Sequence, residues 1–261
     1  VSEVELPSLG QAAGVVLLGA PFLFLALRKA SGMLPRLPAP AHRWTGNEIV
    51  AVSLAPLVLF LLIAALLRDP SVLASLLLNE LVFGLTVALA IVLAARRGGL
   101  ASLGLAERAQ PRSLLVGPLV FVPLLLVSRG LTLAWLHVCR ARGWEEQQEV
   151  LLAILDLEGR ELLVASLIAV LVGPLLEELL FRGFLQSALA QRLGERGALL
   201  GSSVLFAALH GMPGLPSLFT LSLFLGWLQQ RTRCILVPWS AHVLNNAVSL
   251  GLALASKDLV G

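Results

Sequence analysis

Charge is nearly missing from long stretches of this 261-residue chain, and that restricts its fold more than any other feature. Apolar runs of transmembrane length recur near residues 10–27, 48–67, 72–95, 113–136, 161–183, 197–211, 216–230 and 235–256, the sixth and seventh being short. A bilayer core takes about 20 apolar residues as a helix, and lipid-exposed backbone must satisfy its own hydrogen bonds, which favours helices over open sheet. Only 13% of residues are charged and 57% are apolar, too few charges to clothe a soluble globule. The expected fold is all-α: a polytopic transmembrane bundle of about eight helices, one integral-membrane domain over 1–261 with a core at 161–256.

Several partner classes fall away at once. The formal charge of +3 is spread between apolar runs, with no basic stripe interleaved with aromatics, so no nucleic acid is expected. Cys139 and Cys234 lie far apart and form no CxxC, which argues against a disulfide framework or a thiolate metal site. Arginine greatly outnumbers lysine and tyrosine is absent, a bias that suggests a GC-rich, bacterial genome and hence a bacterial inner membrane. Basic residues collect in the loops after odd-numbered segments, including Arg43, Arg108, Arg192, Arg196, Arg231 and Arg233. By the positive-inside rule those loops should be cytoplasmic. Residues 140–160 form the longest polar stretch and are expected to be an extramembrane loop.

The polar residues inside the oil carry the chemistry. An ionisable side chain near a helix centre costs roughly 2.5–3.5 kcal/mol on insertion scales, so its presence there is a functional hypothesis. The fifth segment holds Glu177, Glu178 and Arg182. Glu178 and Arg182, four apart, share a face and can pair; Glu177 is turned about 100° away and stays available for proton transfer. The pair could equally be a structural tie between helices. His210 ends the sixth segment, four residues after Phe206, and in the eighth His242 and Asn246 share a face. His42 sits in a loop and His137 near the end of the fourth run. Glu80 and Arg129, the other charges near lipid, could pair near the outer interface in a structural role, and the Gly173–Pro174 step should kink or loosen its helix.

Two chemistries are open to such a set. A carboxylate with an imidazole can polarise water, while a second imidazole and a carboxamide donate hydrogen bonds to a developing oxyanion. One Glu and two His could instead hold a metal, zinc above all, with an open position for water, though no H-E-x-x-H is present. Read together, the E-E-x-x-x-R of Glu177, Glu178 and Arg182, the F-x-x-x-H of Phe206 and His210, and the H-x-x-x-N of His242 and Asn246 resemble the CPBP family. These are the CAAX-processing and bacteriocin-processing intramembrane proteases, also called Abi proteins or type II CAAX prenyl endopeptidases. The likeness spans about residues 173–250.

The resemblance implies that Glu177 with His210 activates the hydrolytic water, that His242 and Asn246 form the oxyanion hole, and that Glu178 and Arg182 brace the base. It implies a protease cutting a membrane-anchored protein or peptide near its anchor, by glutamate chemistry or with a metal on Glu177, His210 and His242. A proton-coupled transporter and a non-catalytic immunity or scaffold protein are the competing readings; the lack of internal repetition speaks against the first.

Overall fold

A computed structural model describes residues 7–35, 37–38, 43–66, 70–96, 99–144 and 149–260. His42 and residues 145–148 of the acidic loop lie outside the described residues. Among those described the chain is helical and contains no strand. The helices are α1 (Leu9–Met33), α2 (Gly46–Leu66), α3 (Val72–Ala95), α4 (Pro111–Arg142), α5 (Glu149–Leu155), α6 (Gly159–Leu209), α7 (Leu215–Thr232) and α8 (Leu236–Val260). Of these, α1, α2, α3, α4 and α6 are long and apolar enough to cross a membrane. The protein is an all-α integral-membrane bundle.

All eight apolar runs form helix, with one difference in how they join. The fifth and sixth merge into α6, whose backbone turns at Gly194 with φ 69° and ψ 173°. That left-handed conformation is open to glycine at no steric cost. The two arms fold back on each other, bringing the rings of Phe181 and Phe206 to 5.0 Å, edge to face. Residues 140–160 are not wholly loop either: the apolar run within Glu149–Leu155 forms α5, and Ile154 packs in a cluster with Ala165 and Leu250.

Close packing decides which helices neighbour each other. Gly130 of α4 admits the α1 backbone so closely that a Cβ there would lie 2.6 Å from Val16 Cγ2 and 2.9 Å from the Ala12 carbonyl oxygen. Small residues at such crossings let membrane helices approach where no hydrophobic force drives them together. Gly117 plays the same part where α4 meets Ala241 of α8. Helix α7 runs beside α4 and both arms of α6, and α3 lies on α2 and the first arm of α6. This arrangement overturns the suggested Glu80–Arg129 pair. Arg129 is exposed on α4, which packs on α1, α7 and α8, whereas Glu80 of α3 faces α6.

One end of the bundle is tied by polar contacts among the basic loops. Arg233 pairs with Glu195 at 2.8 Å, Arg231 donates to the Ser31 carbonyl, Trp44 donates to Ser187, and Ile235 N–H reaches the Gly104 carbonyl. At the other end, Trp135 donates to the Met212 carbonyl and His137 Nε2 lies 2.8 Å from the Pro7 carbonyl oxygen. The candidate residues fall between these ends.

Candidate active site

The first arm of α6 is not a regular α-helix. Pro174 has no N–H to donate, and the turn before it, Ile168–Val172, widens to π geometry, with Gly173 N–H donating to the Ile168 carbonyl. A short α-helical stretch, Gly173–Glu178, carries both glutamates. A second π segment, Leu179–Leu185, follows and carries Arg182. Such bulges rotate the side chains beyond them and often mark functional positions. The sequence predicted a disturbance at Gly173–Pro174; the form it takes is a wide turn rather than a break.

Glu178 and Arg182 are buried completely, at 0% and 2% exposure, and pair at 3.1 Å between Glu178 Oε1 and Arg182 Nη1. Arg182 Nη2 also donates to Ser222 of α7 at 3.0 Å, and its guanidinium lies 4.4 Å from the Phe206 ring centre. Charge on this residue is therefore met by a carboxylate, a hydroxyl and a π face together. Sequence reasoning missed Ser222. Its signal, one of three hydroxyls (Ser217, Thr220 and Ser222) in the apolar run of α7, is too common to single out.

His242, buried to 2%, joins the two glutamates. Its Nδ1 stands 2.8 Å from Glu178 Oε1, and its Nε2 stands 3.7 Å from Glu177 Oε2. From the second arm of α6, His210 Nε2 approaches Glu177 Oε1 at 3.5 Å while its Nδ1 lies 2.7 Å from the Phe206 carbonyl oxygen. A carbonyl only accepts, so His210 Nδ1 is the donor there; an arginine-paired carboxylate likewise makes His242 Nδ1 the donor to Glu178. Both imidazoles therefore turn Nε2 toward the two oxygens of Glu177, whose side chain is about one-fifth exposed. Separations of 3.5 and 3.7 Å are too long for strong direct bonds and too short for a water in line, so a water touches carboxylate and imidazole together only from the side.

Glu177, His210 and His242, predicted from three separate segments, are thus brought together, with Glu178 and Arg182 directly behind. Asn246 lies one turn beyond His242. Its Nδ2 donates to the Ala169 carbonyl in the first π segment at 3.0 Å, and its Oδ1 accepts from Asn245 at 3.2 Å. One hydrogen of the Asn246 amide is thereby used to hold α8 on α6, and one remains for another acceptor. Trp239 adds a second tie, donating to the Leu171 carbonyl. Among the described residues no three His, Cys, Asp or Glu side chains are grouped as ligands for a metal ion.

No curated protein and no solved structure matches the chain. A family model does. Residues 159–248, from the start of α6 through the His242–Asn246 turn of α8, match the Rce1-like type II CAAX prenyl endopeptidases, a protease family, and every residue of the site just described falls inside that stretch.

Proposed function

We propose that the protein is an intramembrane endopeptidase that hydrolyses a peptide bond of a membrane-anchored protein close to its anchor. The observation that carries this reading is the convergence of two imidazole Nε2 atoms on the two carboxylate oxygens of Glu177. Water held by Glu177 and His210 together gives up a proton as its oxygen attacks the scissile carbonyl. The oxyanion that forms is met by the free N–H of Asn246 and by His242 in its imidazolium form, which needs a proton on Nε2 besides the Nδ1–H given to Glu178. Glu178 and Arg182 fix His242 from behind: the carboxylate holds Nδ1, so the ring presents Nε2 to the reaction. The bacterial inner membrane is the expected location, and a C-terminal tail, sorting signal or bacteriocin-type precursor the expected class of target.

The reading is one of glutamate chemistry, with zinc on Glu177, His210 and His242 as the alternative. Reconstituted protein is expected to cleave a quenched-fluorescence peptide anchored to the bilayer through a prenylated CAAX-type tail. Activity that survives a strong chelator supports the glutamate reading. Activity lost to the chelator and restored by zinc overturns it in favour of the metal.

A further inference from the structure

Glu80 is the only ionisable residue of the apolar helix α3. Its carboxyl group turns to α6 rather than to lipid. A Cβ built on Gly173 would lie 3.3 Å from Glu80 Oε1 and 3.8 Å from its Cδ, so the carboxyl group occupies the place a side chain at 173 would need. Gly173 and Glu177 are four residues apart on one face of α6, about one turn or 5.4 Å along the axis. Glu177 is accordingly among the charges that act on Glu80. Among the described residues no cation pairs with Glu80. Glu177 itself is faced by the titratable His210 from the second arm of α6 and His242 from α8, and lies within the field of Arg182, which is engaged with Glu178.

We propose that Glu80 is the proton donor to the leaving nitrogen. This rests on the hydrolytic reading above. An amide nitrogen does not leave as an anion, so a proton must reach it as the C–N bond breaks. Glu177 takes one proton from water while the water oxygen bonds to the carbonyl carbon. Glu80, one turn away along the same face, gives its own proton to the nitrogen as the C–N bond breaks, releasing a neutral amine and a carboxylic acid. The proton on Glu177 then passes to Glu80, which restores both groups. Ionising two carboxyl groups that act on each other in apolar surroundings is costly, so one keeps its proton while the other is ionised. That division leaves one as base and the other as acid.

The test uses two anchored reporters in proteoliposomes, identical except that the scissile amide of one is an ester in the other. An alkoxide leaves far more readily than an amide anion and has little need of a donor. Glu80→Gln keeps the size of the side chain and removes its acid function. Amide turnover is expected to fall about 10²- to 10⁴-fold, with KM little changed and ester turnover within a few-fold of the parent. Gly173→Ala, which crowds Glu80 Oε1 without altering any acid, should shift the amide-to-ester ratio in the same direction by a smaller factor. Equal loss on both reporters in Glu80→Gln overturns the role of Glu80 while leaving the hydrolase intact. If Glu177→Gln cleaves the amide like the parent, the hydrolytic reading fails, and the role of Glu80 with it.

Discussion

Helix α2 and the first arm of α6 are both oily helices of one bundle, yet they are held by different means. Along α2, Leu54, Leu57, Val58, Phe60, Leu61 and Leu62 are each half exposed or more, and among the described side chains of this helix Val52 is the only hydrophobic one fully enclosed. Lipid tails are as apolar as leucine, so this surface needs only to be apolar and long enough. The first arm of α6 buries Glu178, Arg182 and Gln186 to within 3%, and each finds a partner on another helix or arm: His242, Ser222 and the Gly226 carbonyl. One helix is specified by its solvent, the other by partners at fixed positions. The same contrast sets apart residues 159–248, which match a family, from the scaffold before them.

Substitutions should divide along that line. The largest effect is expected at Glu177 and His210: replacing either with alanine should lower reporter cleavage by about 10³-fold or more. Both side chains are partly exposed, so yield and thermal unfolding in detergent should change little. Arg182→Ala should act through the fold. It leaves Glu178 buried without its guanidinium, a loss of about 3–5 kcal/mol for a buried pair, and thermal unfolding should register it as a large drop in midpoint. Gly130→Ala drives a methyl into Val16 and the α1 backbone and should cost about 1–3 kcal/mol, with activity per folded molecule preserved. At the small end, Leu61→Ala on the lipid face of α2 should change stability by less than about 0.5 kcal/mol. A large penalty at Leu61, or a mild one at Arg182, would break the comparison.

The sequence was most readable where the information is local. Hydropathy marked all eight helical runs, and four-residue spacing placed Glu178 beside Arg182 correctly. Glu177, turned about 100° away, does leave that pair to face the imidazoles. What could not be read depends on which helices touch. Nothing in the chain shows that His242 grips Glu178 with one nitrogen and faces Glu177 with the other, because that requires α8 to lie on α6. The possible Glu80–Arg129 pair fails for the same reason: hydropathy gives helices but not their neighbours. The Gly194 hairpin had a local signal, two glycines in the polar stretch Leu193–Gly197, but separate apolar runs gave no hint that the helices would join across it. Helix α5 was hidden by the acidic residues around its short apolar run.

The central claim is that Glu177 activates water to cut a membrane-anchored protein. Its most direct measurement is terminal proteomics on membranes from cells producing either the parent or Glu177→Ala at equal level. The account predicts that a defined set of membrane proteins carries longer termini in the Glu177→Ala cells and is trimmed at discrete positions in the parent. Identical termini in both would contradict it.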